Sequence, residues 1–209
     1  MTARGRFLTL EGLDGAGKST QLDFVQRWLT EHGVQAVFTR EPGGTAVGES
    51  LRNLLLSVDT EVSLDTETLL MFAARNEHIV HVIEPALARG LWVVCDRFTD
   101  ATYAYQGGGR GVPTERIAQL EEWVQRGLQP DLTLLFDLAP HVAAERMAKG
   151  RELDRFEREA SEFHNRVRDA YLARVAQSPA RYAVFDASLT VEVIHTQLAA
   201  RLSQLLEQA

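Results

Sequence analysis

The sequence predicts an α/β fold, a parallel sheet of five strands with helices on both faces. Two observations carry this. Apolar, β-rich runs alternate along the whole chain with helical patterns, and parallel strands covered on both sides read as such near-continuous apolar runs. The length of 209 residues fits one domain, taken here as 1–209, and leaves little room for a second. In order, RFLTLEG, QAVFTR, LWVVCDR, DLTLLFDL and RYAVFDA read as strands, each bounded by turn or charged residues. A first helix runs from about Lys18 to His32 with Leu22, Val25 and Leu29 on one face, and Gly33 ends it. A second runs from about Asp65 to Ile83 with Leu69, Phe72, Asn76 and Ile79 at helical spacing, and Pro85 can open a further turn. A third covers about Pro113 to Arg126, and the cationic stretch after Pro140 leads to a long helix ending near Ala176. The last, Val191 to Leu206, aligns Val191, Ile194, Leu198, Leu202 and Leu205. Ligands of such sheets bind at the carboxyl ends of the strands, which places Gly12 onward, Arg40, Asp96 and Asp137 on one edge.

Composition narrows the function. Apolar residues make up 45% of the chain and charged ones 24%, as in an ordinary globular protein. The net charge of −7, from 29 acids and 22 bases, is a poor match for a nucleic-acid polymer, which calls for a basic face. It leaves room for a single nucleotide held by a few local cations. The one cysteine, Cys95, rules out an intrachain disulfide and suits a reducing compartment. MTARGRFLTLEG is too weakly apolar for a signal peptide, and no apolar run is long enough to span a bilayer. The expectation is a cytoplasmic enzyme with no membrane partner.

The strongest motif is GLDGAGKS, Gly12 to Ser19, which fits G-x-x-x-x-G-K-S/T after a strand and before a helix. Its glycines let backbone N–H groups turn inward around phosphate oxygens. Lys18 brings a charge to the β/γ bridge, Ser19 a hydroxyl for Mg2+, and the helix its positive dipole end. Gly12, Leu13, Asp14, Gly15, Ala16, Gly17, Lys18, Ser19 and Thr20 are therefore the expected ATP-binding residues of a P-loop NTPase fold. No N-K-x-D guanine reader is present. The third strand ends in Asp96-Arg97; an aspartate there can orient the water shell of Mg2+, and the arginine can bind an anionic acceptor. A small P-loop domain with extra acceptor-side cations points to a nucleotide or metabolite kinase.

Four further strings join the P-loop: TREPGGT (Thr39 to Thr45), FAAR (Phe72 to Arg75), DRFTDATYAYQGGGRG (Asp96 to Gly111) and GRELDRFE (Gly150 to Glu157). Together they resemble the thymidylate kinase family, from about Phe7 to Asp186. The resemblance implies transfer of the γ-phosphate of Mg2+-ATP to thymidine monophosphate (dTMP), giving dTDP. It implies that Arg97 contacts the acceptor phosphate, with Arg40 as a second contact, and that Asp14 lies near the sugar 3′-hydroxyl and magnesium. Arg75 matches the arginine that meets thymine O4, and Thr102 and Gln106 match positions reading the thymine edge. Tyr105 matches the ring that crowds the sugar 2′ carbon. The family's stacking aromatic falls at Met71, a departure; either Met71 lies on the base or Phe72 takes the role.

The family occurs with one catalytic arginine either in the P-loop or in a mobile lid. Gly15 holds the P-loop position, while MAKGRELDRFE supplies Lys149, Arg151 and Arg155. The chain thus resembles the lid-arginine kind, with a lid over about 146–158 and Arg151 or Arg155 as the closing cation. FDASLT resembles the loop whose backbone reads adenine. His78 and His81 with Glu77 and Glu84 lack a third convergent ligand and are not read as a metal site. If the acceptor were instead a free nucleoside, a carboxylate base would be needed, with Glu11 and Glu41 as candidates. A binding module without transfer is the non-enzyme alternative. The resemblance also implies a homodimer through helices of the acceptor half.

Overall fold

A computed structural model describes residues 4–148 and 154–208. Five strands, β1 (Phe7–Gly12), β2 (Ala36–Arg40), β3 (Trp92–Asp96), β4 (Leu132–Asp137) and β5 (Tyr182–Asp186), form one sheet in the order β2-β3-β1-β4-β5. Every pairing is parallel. The helices are α1 (Lys18–Glu31), α2 (Ala46–Leu56), α3 (Leu64–His78), α4 (Glu84–Ala88), α5 (Thr99–Thr102), α6 (Thr114–Gln125), α7 (Pro140–Met147), α8 (Ser161–Gln177) and α9 (Val191–Glu207). Two π-helical segments, Ile79–Ile83 and Tyr103–Gly109, continue α3 and α5.

Alternation along the strands splits the core. Leu8, Leu10 and Val94 pack in a cluster with Val25 and Leu29 of α1 and with Ile194, Leu198 and Leu202 of α9. Phe7, Val93 and Cys95 point the other way, onto Ile79, Ile83, Ala86 and Leu87. β1 is central: the chain leaves it for β2 beyond β3 on one side and returns with β4 on the other. That is a switch point, where loops diverge and leave a crevice. The register sets Arg40 beside Asp96, Leu10 beside Asp96 and Gly12 beside Phe136, so the predicted edge is formed.

Four local readings change. Leu69 is 53% exposed, and the helix it belongs to loosens into a π turn at Ile79. The helix that ends at Gln177 begins only at Ser161, and α7 is a separate element. Val191 is exposed at the start of α9. The sequence reading also missed α2, which buries only Gly48 and Leu55 fully.

Candidate active site

The turn after β1 is shaped by glycine at two places. Gly12 has φ 137°, and a Cβ there would lie 2.5 Å from the Phe136 carbonyl oxygen. Gly15 has φ 83° and would meet the Ala143 oxygen at 2.5 Å. Leu13 and Ala16 are buried beneath the loop, while Ser19 and Thr20 are exposed in the first turn of α1. Lys18 folds back over the turn, donating from Nζ to the carbonyls of Gly12 (3.2 Å) and Leu13 (3.0 Å), with Asp14 Oδ1 at 3.6 Å. Burial, and then repulsion from Arg97, lowers the pKa of Lys18.

Arg97 follows β3 with φ 70°, a left-handed backbone in a non-glycine residue, and such outliers gather at functional sites. Two contacts hold it. The Phe98 N–H donates to Glu11 Oε1 (2.7 Å), and Tyr171 OH, which accepts from Arg97 Nη1 (3.2 Å), donates to Glu11 Oε2 (2.7 Å). Arg97 Nη2 reaches Asp14 Oδ1 (2.8 Å) and Tyr105 OH (3.0 Å), and the guanidinium lies 4.7 Å from the Tyr105 ring centroid. Burial alone would raise the pKa of Asp14; Arg97 and then Lys18 outweigh it and hold the carboxyl well below its usual range. Asp96 Oδ1 is buried without a hydrogen-bond partner among the described residues. An anionic oxygen so placed, near Lys18, suits the hydration shell of a divalent cation.

Beyond Arg97 lies a cleft lined by Arg40, Arg52, Met71, Arg75, Thr102, Tyr105 and Gln106, among others. Arg75 Nε donates to Glu41 Oε2 (2.8 Å) and its Nη2 to Thr102 Oγ1 (3.0 Å), while Nη1 is buried with no partner among the described residues. His78 anchors the same carboxylate through Nδ1 (2.9 Å) and meets Thr39 through Nε2 (2.6 Å), which is its use in the fold. The π-helical segment buries Tyr105 and Gln106 side by side at the cleft, as π bulges often do at sites. Phe72 does not line the cleft. It is 2% exposed in a core cluster with Tyr103, Val112 and Ile117, whereas Met71 lines the cleft together with Phe98, Tyr105 and Phe156.

Arg40 and Arg52 join Arg97 at the cleft mouth. Arg40 is exposed and paired with Glu49 at 2.9 Å. Arg52, which the sequence reading missed, donates to the Pro42 carbonyl, and burial together with repulsion from Arg40 lowers its pKa. Arg155 is placed elsewhere: Nε donates to the Leu55 carbonyl (2.9 Å) and Nη2 lies 2.7 Å from Glu67 Oε2. Its guanidinium is thus held against α2 and α3. Lys149 and Arg151 lie outside the described residues.

The Thymidylate kinase family model matches residues 10–198. The chain belongs to the thymidylate kinase family. It is 63% identical over 205 residues to a thymidylate kinase of Chromobacterium violaceum, covering 98% of this chain and 97% of that one. A thymidylate kinase of Thiobacillus denitrificans is 58% identical, with 98% and 100% covered. The crystal structure of thymidylate kinase from Ehrlichia chaffeensis matches with a TM-score of 0.77 and 35% identity, over 95% of this chain and 99% of that one. The fold is that of P-loop NTPases, and the chain is a nucleoside monophosphate kinase that uses ATP. Among the described residues no helix is long and apolar enough to cross a membrane.

Within a thymidylate kinase, two residues of this site carried no sequence signal. Glu67 and Tyr171 are a buried acid and a buried phenol whose partners lie 39 to 160 positions away. Glu11 and Glu41, the candidate bases for a nucleoside acceptor, each accept two hydrogen bonds inside the fold.

Proposed function

We propose that the cleft holds dTMP with its base on Met71 and its phosphate against Arg97, Arg40 and Arg52, facing ATP on Gly12 to Thr20. The observation that carries this is the convergence, beside one P-loop, of three guanidiniums at the cleft mouth and one unpartnered arginine N–H deep inside it. Arg75 Nη1 is a donor for thymine O4, and Thr102 and Gln106 border the same edge. Tyr105 lies where a ribose 2′-hydroxyl would have to fit.

The acceptor of the reaction is a phosphate oxygen already ionised near neutrality, its second pKa being about 6. No general base is needed, which accords with both candidate carboxylates being occupied. The obstacle is repulsion between two anions. Arg97 neutralises the acceptor and Lys18 the donor, and Asp14, which touches both, keeps these two cations together before the phosphates arrive. Ser19 and the unpartnered Oδ1 of Asp96 would hold Mg2+, which supplies charge neutralisation on the β- and γ-phosphates when bound. Residues of a lid over about 146–158, with Arg151 or Arg155 as its cation, close the site against water.

The chain acts as one domain of 1–209, in the cytoplasm, as a homodimer. Exposed apolar side chains on the acceptor-side helices, Leu54 of α2, Leu69 of α3 and Trp123 of α6 (73% exposed), support a dimer face. Sedimentation at micromolar concentration tests it; a monomer there removes the dimer.

The test of function is ADP release with Mg2+-ATP and a panel of nucleoside monophosphates. Strong turnover of dTMP, weak turnover of uridine monophosphate and none without Mg2+ are expected. Activity confined to another acceptor would keep the P-loop reading and remove the roles given to Arg75, Thr102 and Gln106.

A further inference from the structure

Glu67 sits in the first turn of α3, 2% exposed, and touches no part of the P-loop. Its Oε1 accepts from Gln106 Nε2 at 2.9 Å, its Oε2 faces Arg155 Nη2 at 2.7 Å, and Arg110 Nε lies 3.6 Å from Oε1. A carboxylate facing two guanidiniums has only acceptors to offer. The amide of Gln106 must therefore turn its nitrogen toward Glu67 and its oxygen toward the cleft that the residue lines.

We propose that Glu67 is a specificity-determining residue, which fixes the Gln106 amide with its oxygen toward the base and so selects pyrimidines that carry a proton on N3. This rests on the reading that Gln106 borders the base. Thymine and uracil offer an N3–H donor beside an O4 acceptor. Cytosine offers the reverse, a bare N3 beside an amino group. An outward Gln106 oxygen next to the unpartnered Arg75 Nη1 complements the first pattern and leaves like facing like in the second. Left free, a glutamine amide could turn over and serve either base. Discrimination at N3 is thus placed one residue behind the amide that touches the ligand, in a group that cannot donate.

The experiment compares kcat/KM for dTMP and dCMP in the wild type, Glu67→Gln and Gln106→Met. Glutamine at 67 can donate as well as accept, so the Gln106 amide is released. The dTMP:dCMP ratio is expected to fall by about tenfold to a hundredfold, with part of the change a gain on dCMP. Equal losses on both substrates, leaving the ratio unchanged, would make Glu67 merely structural and overturn the proposal. Gln106→Met separates the two levels. If it leaves the ratio unchanged, Gln106 does not read the base and the underlying reading fails. If it changes the ratio while Glu67→Gln does not, only the role of Glu67 fails. Should Glu67→Gln not fold, Glu67→Asp and Glu67→Asn make the same comparison one methylene shorter. Asp, still acceptor-only, keeps a higher ratio than Asn, and equal ratios overturn the proposal.

Discussion

Replacing Arg97 by lysine preserves the charge and removes the fork. A guanidinium has five N–H donors, and three hydrogen bonds from Arg97 go to Asp14, Tyr105 and Tyr171. That leaves roughly two donors for a ligand phosphate. Lysine has three donors on one atom. It can satisfy Asp14 or the phosphate, but not both in the planar, two-point manner of arginine. Each charge-assisted bond lost is worth about 1.5–3 kcal/mol, and retained charge recovers part of two such losses. A net of about 3–4 kcal/mol corresponds to a fall of roughly 10² to 10³ in kcat/KM for dTMP. The assay is steady-state turnover with dTMP varied at saturating ATP, then the reverse. The Arg97 guanidinium donates to side chains, among them Asp14, and among the described residues to no P-loop carbonyl, so KM for ATP should stay within about threefold. The backbone stays at positive φ in both proteins, so strain does not differ. A folded Arg97→Lys enzyme losing less than about tenfold in kcat/KM for dTMP, or losing ATP affinity to the same degree, would refute the assignment of Arg97 to the acceptor.

Three further outcomes follow from the same geometry. The pKa of Glu11 is pushed up to about 8, from 4.5, by burial and by Asp100 beside it, against the pull of Arg97 and the hydrogen bonds from Tyr171 and the Phe98 N–H; Lys18 and Arg181 feel it at longer range. The folded state then holds that proton more tightly than the unfolded chain, so stability falls as pH rises from the unfolded value through about 8. Glu11→Gln should shrink the loss of Tm between about pH 6 and about pH 9; identical slopes for both proteins contradict it. Gly15→Ala, with φ 83° and a Cβ 2.5 Å from the Ala143 oxygen, should cost about 1–3 kcal/mol, seen as weaker ATP binding and a lower Tm, and unchanged values would mean that the loop yields freely. Met71→Phe should lower KM for dTMP about twofold to tenfold by adding a ring to the base-facing surface, whereas a raised KM would place the base elsewhere.

What was legible in the sequence, and what was not, divides by the reach of the interaction. β1, β3 and β4 are buried on both faces and the edge strands β2 and β5 only in part, yet the apolar runs of all five announce them. The P-loop is a local device, so eight consecutive letters describe it. α2 escaped because its apolar residues are half exposed, although a capping signal was there: the Thr45 hydroxyl accepts from the Gly48 N–H (2.9 Å), and Glu49 accepts from the Gly44 N–H (3.0 Å). Spacing alone could not separate Met71 from Phe72, because positions three and four before Arg75 both lie on its side of the helix. In the fold Met71 lines the cleft and Phe72 turns into the core. Glu67 and Tyr171 could not be found this way, and Glu11 was visible as an acid but not by its partners. A helical period names the face a residue occupies; it does not name the partner that another element brings to that face. The partner of Arg155 was hidden for the same reason. The charge of the arginine was visible, but the Glu67 that claims it lies in a different helix.

The acids explain how so cationic a site holds together. Lys18 and Arg97 repel one another, and that repulsion contributes to the lowered pKa of Lys18. Asp14 touches both, at 3.6 and 2.8 Å, and the phenol of Tyr105 donates to its second oxygen at 3.1 Å. The carboxylate therefore stands where phosphate charge is needed before any nucleotide binds. Incoming phosphates can then share these cations without first having to assemble them, and preorganised charge of this kind costs little reorganisation when the transferring group moves. Glu41 does the same for Arg75 deeper in the cleft, and Glu67 for Arg155 at its edge. Arg97, Arg75 and Arg40 are each tied to an acid with part of the fork left over, and the part left over is what the substrate meets.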